Sequence, residues 1–482
     1  MISKKSTLLS VLLILILVSL DKKINIKNPL FIKFLEKYTE NEFYIKDNDK
    51  CNLLDPIYVM SQRFKKYPIN FCRNNFSKHI CFQSSKYDYY NHLYRFPYGV
   101  ICLMENVIID TSKSKQTNLT YKGPIDKIAR GSPILFKGFF EIKCKENYIP
   151  LNYSKLYVNY FDSWNYTNDY KNNEFEELAP GKTIFFISRN EDSPNLFHGF
   201  SEIINCLSVI YLFDLNPEDI QIVFLESMNL NEEPLYDFYT NIISKVNEPI
   251  YIRNLNNKYH ISSAIHIPIG ADSPLFMMID SPECKYPTIT YKIVNKLINK
   301  YLNITKYNDL FKSDNEIFYY PKLSIKSKFS NISFIKNVTI QWRKVWPKGR
   351  INQKRLFGNG PELSDKLASV LPNNFLVRLV DTASLSITQQ ISIMKNTDYF
   401  IGIHGAGLSL SIFMANHSIL HEILPYKRNK LLLLMSKLSG HKSYSDIIKS
   451  KIEIRDNNEY IYFDDTTFLN CILKRMKQNN II

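Results

Sequence analysis

The chain has 482 residues and a mass of 56.7 kDa, more than the roughly 250–300 residues over which one core grows, so two domains are expected. Apolar residues make up 45%, charged residues 22% and aromatics 14%, which supplies apolar surface for sizeable cores and excludes disordered, collagen-like and coiled-coil classes. The net charge is +15, but the lysines are scattered rather than gathered into a stripe, so the excess reads as a solvated surface and no nucleic-acid partner is expected.

The first element is an apolar run from Leu8 to Leu20, preceded by Lys4 and Lys5 and followed by Lys22 and Lys23. At about 1.5 Å per residue it falls short of a ~30 Å hydrocarbon core, so residues 1–20 read as a signal peptide or a short signal-anchor, the two alternatives staying open. Either addresses the chain to the lumen of the secretory pathway, endoplasmic reticulum or Golgi, as a single-pass type II membrane protein or a luminal protein after cleavage. Eight cysteines in an exported chain read as disulfides with 105 possible pairings. Eight Asn-x-Ser/Thr sequons, among them Asn337 in an apparent strand, are compatible with luminal glycosylation. Residues 21–60 read as a polar stem. Within it Asp47-Asn48-Asp49 has the form of a metal-binding acidic motif, but its setting makes chance the better explanation.

Residues 61–330 are expected to form one domain. Val107–Ile109, Pro133–Phe140, Leu156–Tyr160 and Thr183–Ile187 read as strands, being aromatic or β-branched runs bounded by Pro, Gly and Asn. Phe200, Ile203, Ile204 and Leu207 then recur at helical spacing. Ile220–Leu225 is a buried-strand candidate, Leu235–Ile243 is helical, His266–Gly270 is strand-like and the stretch around Tyr291–Leu302 is helical. The polar segment Asn308–Ser330 reads as the passage between domains.

Residues 331–482 are expected to form the second domain. Strands are predicted at Val338–Gln341, Phe375–Val380, Tyr399–Ile403 and Ile419–Leu424, with helices at Glu362–Leu371, Leu385–Lys395 and Leu408–Met414. Strand and helix alternate through short connections, the grammar of a parallel α/β sheet. The sharpest local signal is Ile401-Gly402-Ile403-His404-Gly405-Ala406-Gly407-Leu408, a strand entering a glycine-rich turn before a helix. Glycines permit close backbone approach, and exposed amides there favour an anion, most simply a diphosphate.

Three stretches in order resemble glycosyltransferase family 61. One is Thr397-Asp398, His404–Leu408, Phe413 and Glu422-Ile423-Leu424-Pro425; a second is Asn195-Leu196-Phe197-His198 with Glu202 and the preceding Arg189; a third is Val338–Arg343 followed by Arg350 and Asn352, and Gln390 also fits. The resemblance spans about residues 185–445 and implies an α/β fold of GT-B type. Two Rossmann-like domains would face across a cleft, the carboxy-terminal one holding a nucleotide sugar.

It also implies an inverting sugar transfer. The expected donor is UDP-GlcNAc and the expected acceptor a Ser/Thr or O-linked glycan hydroxyl of a secretory protein. UDP-xylose is the alternative donor, and a non-catalytic, membrane-tethered homologue that binds glycan or nucleotide is the alternative of another class. Donor binding is expected from Arg343, His404, Gly405, Ala406, Gly407, Glu422, Asn195, Arg189 and Asn352. The catalytic pair is expected in His198 and Glu202, which share one helix face at a spacing of four and can alternatively just satisfy each other. No cofactor is expected beyond the donor, and no metal, since cationic side chains are placed to replace an ion.

Overall fold

A computed structural model describes residues 68–82 (without 75), 101–114, 135–144, 158–168, 175–188, 196–225, 235–268 (without 246 and 247), 284, 287–301, 318–319, 335–345 and 354–482 (without 416 and 428–430). The amino-terminal targeting segment, the stem with Asp47–Asp49, Arg189, Asn195, Arg350 and Asn352 lie outside the described residues. Among the described residues no helix is long and apolar enough to cross a membrane. The protein is a mixed α/β molecule.

The amino-terminal sheet has ten strands: β1 (Pro68–Arg73), β2 (Lys78–Phe82), β3 (Ile101–Asp110), β4 (Phe140–Lys143), β5 (Trp164–Thr167), β6 (Glu176–Glu177), β7 (Thr183–Ile187), β8 (Ile220–Phe224), β9 (Ile250–Tyr251) and β10 (Lys258–Ile267). Its main path runs β1-β2-β3-β10-β7-β8-β9. The β10-β7-β8-β9 portion is parallel and the β1-β2-β3-β10 portion antiparallel. Two disulfides, Cys72–Cys144 and Cys81–Cys102, cross the antiparallel portion. Cys206 and Cys471 are free thiols, so the cysteines do not all pair.

Three expectations in this region are corrected. Of the expected strand Leu156–Tyr160 the described part belongs to a short helix, α1 (Val158–Asp162). That helix sets Tyr160 against Phe140 and Trp164, at ring separations of 5.4 and 6.0 Å, and tertiary packing of aromatics overrides their β preference. Within Pro133–Phe140, Leu135 makes only a bridge to Ser114, and the chain turns at Gly138 (φ 87°) before β4 begins. The strand expected at His266–Gly270 starts earlier, at Lys258, and ends at Ile267 before Pro268. The serines at 262 and 263 diluted its apolar pattern.

Helix α2 (Leu196–Leu212) follows β7 and returns the chain to β8, a parallel crossover unit. Its apolar side joins a core that also contains Phe238, Tyr239, Ile242 and Ile243 from a helical turn and π-helix at Tyr236–Ile243, and Val294 and Ile298 from α3 (Ile289–Tyr301). That core continues into the carboxy-terminal half through Leu408, Ile412 and Phe413.

The carboxy-terminal sheet has six strands. They are β11 (Phe318–Tyr319), β12 (Lys336–Gln341), β14 (Phe375–Val380), β15 (Tyr399–Ile403), β16 (Ile419–Leu424) and β17 (Lys442–Ile447), ordered β11-β14-β12-β15-β16-β17. All pairs are parallel except β11 with β14. Phe318 and Tyr319, within the segment read above as a passage, thus form an edge strand of this sheet. Counting from β12, the parallel strands have the doubly wound order 2-1-3-4-5, whose direction of winding reverses between β12 and β15.

Period-2 alternation loads both faces. Phe400 and Leu420 face the core shared with α5 (Ile387–Lys395) and α6 (Leu431–Leu438), whereas Tyr399, Ile401 and Ile423 face α4 (Gly360–Val370) and α7 (Asp465–Gln478). A three-stranded sheet, β13 (Leu356–Phe357), β18 (Ser450–Arg455) and β19 (Asn458–Phe463), packs Phe357, Ile461 and Phe463 on the α4/α7 side.

Of the buried histidines His79, His266, His421 and His441, three have a shifted pKa. His79 stacks on Trp164 at 3.7 Å, His421 bridges Tyr399 (2.8 Å) and Asp446 (3.0 Å), and His441 begins the turn into β17. Burial holds the pKa of each below its ordinary 6.5, His441 pushed down to about 4 with a further contribution from His417. The unfolded chain therefore binds more protons below pH 6.5, and stability falls as pH drops through that value. Urea unfolding is expected to show a lower free energy at pH 5 than at pH 7.5. His441 alone contributes up to about 3 kcal/mol by pH 4, so His441→Leu flattens that slope; a slope equal to the parent's would refute the assignment.

Candidate functional site

In a doubly wound sheet the crevice forms outside the carboxyl ends of the strands where winding reverses. Here those are β12 and β15, and the residues leaving them are Trp342-Arg343 and His404-Gly405-Ala406-Gly407. Sequence separates Arg343 from His404 by 61 residues, yet Arg343 Nη1 donates to the His404 carbonyl at 3.1 Å. The side chain is half-buried, and desolvation together with the charge of Arg355 lowers its pKa to about 10, with Glu459 opposing the shift. It stays cationic at neutral pH.

The glycines are explained by what lies over them. A Cβ on Gly405 would overlap the Arg343 guanidinium, and one on Gly407 would overlap the amide of Gln341. At Gly402 a Cβ would come within 2.5 Å of Leu408 and 3.1 Å of Gln341 Oε1. Gln341 was not singled out from sequence, although its spacing of two from Arg343 at a strand end was a usable signal. Its Nε2 donates to Thr382 Oγ1 at 3.0 Å, which fixes the amide over the turn. After Gly405 the chain enters a 3₁₀ helix over Ala406–Phe413, two residues earlier than the short helix expected at Leu408–Met414.

His404 and Glu422 form the second part of the site. Strand register pairs Gly402 with Glu422 and Ile403 with Ile423, so the strand-end histidine lands beside the acid. Their Nδ1 and Oε1 are 2.5 Å apart. Glu422 is fully buried and its Oε2 accepts from Ser445 Oγ at 2.6 Å. The contact occupies Nδ1 and leaves Nε2 to meet a ligand. The ring keeps 12% exposure. Ser445 arrives on β17, a strand absent from the sequence reading.

The amino-terminal half reaches the same turn. Phe200 of α2 meets Phe413 edge-on at 5.3 Å, and Asn295 Nδ2 donates to the Ile412 carbonyl at 3.4 Å. His198 lies in the first turn of α2, half-buried, edge-on to Phe197 at 5.8 Å. Glu202, one turn on, is fully buried and accepts from Tyr239 Oη at 3.2 Å. The structure therefore brings Arg343, His404, Gly405, Ala406, Gly407 and Glu422 together, and places the helix of His198 and Glu202 against the segment that follows the turn.

Other residues of the sequence pattern have structural tasks. Asp398 accepts from the Asn337 backbone N–H at 2.6 Å, tying β12 to β15. Gln390 Nε2 donates to the Leu385 carbonyl at 2.9 Å. His421, Asp446 and Cys471 have metal-ligand chemistry and lie close together, but strand alternation puts His421 on the opposite face of β16 from Glu422. Asp446 is already held by Arg475 Nε at 2.7 Å and Nη2 at 2.5 Å. Burial alone would raise its pKa; the hydrogen bonds from His421 and Arg475 outweigh this and hold it far below the usual carboxylate range.

Residues 235–420 match the family model described as Glycosyltransferase 61. Over 93 residues the chain is 33% identical to the EGF domain-specific O-linked N-acetylglucosamine transferase of Mus musculus, and equally to that of Rattus norvegicus. These matches cover 19% of this chain and 17% of each relative. The family resemblance is thus shown over a stretch that contains Arg343 and the glycine turn; His198 and Glu202 precede it and Glu422 follows it. Both comparisons point to a glycosyltransferase.

Proposed function

We propose that this protein is an inverting glycosyltransferase of the secretory pathway. In this reading it moves GlcNAc from UDP-GlcNAc to a Ser/Thr or O-linked glycan hydroxyl of a secretory protein, across a cleft between two Rossmann-like halves of GT-B type. The observation that carries it is the reversal point of the carboxy-terminal sheet, where a half-buried arginine and a glycine-lined backbone meet. The name of the two rodent relatives supports GlcNAc as the sugar. The apolar run Leu8–Leu20 supports export, with the body of the protein in the lumen of the endoplasmic reticulum or Golgi.

The chemistry is a single displacement. A base takes the proton of the acceptor hydroxyl, its oxygen attacks the anomeric carbon, and the bond from that carbon to the diphosphate breaks with inversion. Charge then accumulates on the leaving diphosphate. Arg343 and the backbone amides of the Gly405–Gly407 turn are suited to stabilise it where it develops, with no metal required in this reading. His404 would meet the donor through Nε2. His198 is the proposed base, being the less buried member of its pair; Glu202, fully buried, supports the helix face from within.

Thermal unfolding with UDP-GlcNAc, UDP-xylose and UDP tests the reading directly. A ligand at 100 times its dissociation constant adds about 2.7 kcal/mol of stability, so stabilisation by UDP and by one of the two donors is expected. UDP release with a secretory glycoprotein acceptor should follow and should fall sharply in His198→Ala. Absence of any shift and of any UDP release would refute the assignment.

A further inference from the structure

Arginine 355 lies just before β13 and has a left-handed backbone, φ 64°, a region that side-chain-bearing residues seldom enter without a local reason. Its neighbours place it beside Arg343 of the candidate site. The Phe357 N–H donates to the Arg343 carbonyl at 2.9 Å, so the chain two residues beyond Arg355 is bonded to the residue that binds over the glycine turn. In the parallel pairing of β13 with β19, Leu356 is opposite Tyr460 and Phe357 opposite Ile461. Continuing that register by one residue sets Arg355 beside Glu459.

Alternation along β19 gives Glu459 the same face as Ile461 and Phe463, which is the face packed on the six-stranded sheet. Glu459 Oε1 is buried and accepts no hydrogen bond among the described residues. The charges of Arg355 and Glu459 both reach Arg343, in opposite senses. Two guanidiniums side by side in a partly buried place repel each other unless a carboxylate lies close by. A nucleoside diphosphate carries more negative charge than one arginine offsets, and planar guanidinium forks match phosphate oxygens.

Resting on the donor-site reading above, we propose that Arg355 is a second diphosphate-binding cation of this site, and that Glu459 is the counter-charge holding Arg343 and Arg355 together until the diphosphate takes its place. The left-handed backbone then orients the Arg355 side chain toward Arg343. Glu459 competes with the ligand for the same two cations.

Calorimetric titration of the full-length chain with UDP and with uridine, which lacks phosphates, separates the outcomes. Asparagine tolerates the left-handed backbone, so Arg355→Asn should fold and melt as the parent does. It is expected to bind UDP about tenfold more weakly, the size of one charge-assisted hydrogen bond, with uridine binding unchanged. Arg355→Lys should recover part of the loss. Glu459→Gln should bind UDP several-fold more tightly, a direction that a folding defect does not produce. Parent-like UDP affinity in Arg355→Asn overturns the role of Arg355, and weaker binding in Glu459→Gln overturns that of the counter-charge. If the parent chain binds uridine and UDP equally or not at all, the donor-site reading itself is refuted, which is a separate result.

Discussion

Gly405→Ala is expected to lower kcat/KM for sugar transfer at least a hundredfold while leaving the cooperative unfolding transition in place. The added methyl occupies the position of the Arg343 guanidinium, so the half-buried side chain must leave the His404 carbonyl that it holds. Losing one pre-positioned donor to developing negative charge costs about 10²–10³ in rate. A cycle with Arg343→Ala isolates the cause. If the methyl acts by expelling Arg343, the double variant is no slower than Arg343→Ala alone, a full failure of additivity. Additive losses would mean that the turn matters for another reason. Arg343→Lys should rescue little, because an ammonium cannot hold the His404 carbonyl and a phosphate with one planar fork.

The second large effect is at Glu422. Glu422→Ala removes the acceptor of both His404 and Ser445 at a site with no solvent to replace it. Each abandoned buried donor costs about 1–3 kcal/mol, so a loss of about 3 kcal/mol is expected in urea unfolding, with activity lost as well. Glu422→Gln separates the two consequences. The amide can accept or donate, and the His404 ring can exchange tautomers to suit it, so stability should change by about 1 kcal/mol or less. Activity should nevertheless fall at least tenfold, because exchanging the tautomer changes what Nε2 presents to the donor. Parent-like activity in Glu422→Gln would show that the pair serves only the fold.

Much of the carboxy-terminal half was legible because each element there carries a local signal. Tyr399–Ile403 is a continuous apolar run, and Phe375–Val380 and Ile419–Leu424 are apolar runs broken only by Arg378 and by His421-Glu422, and the strands formed at those residues. The amino-terminal half was harder to read. In β10 the interior is Ile261-Ser262-Ser263-Ala264, a pattern weakened by hydroxyls that the sheet nevertheless accommodates between β3 and β7. In α1 the aromatics look β-like, but the cluster of Phe140, Tyr160 and Trp164 selected a helical turn. Among the elements after Leu424, β18 exposes Ile452 and Ile454, so its alternating sequence marks no buried face.

Sequence alone determined the type of chemistry offered by this protein: an arginine two residues past a strand end, a histidine opening a turn with glycines at 405 and 407, and an acid inside a later strand. Those are properties of single stretches, readable from spacing and residue type. Tertiary structure decided which stretches meet. The order β14-β12-β15-β16-β17 seats Gln341 and Arg343 over glycines more than 60 positions away and brings Ser445 to Glu422, while the separate pairing of β13 with β19 sets Arg355 beside Glu459. Periodicity reports neighbours along a chain, whereas strand order is set by hydrogen bonding and burial between segments far apart, and the site exists only where those segments join.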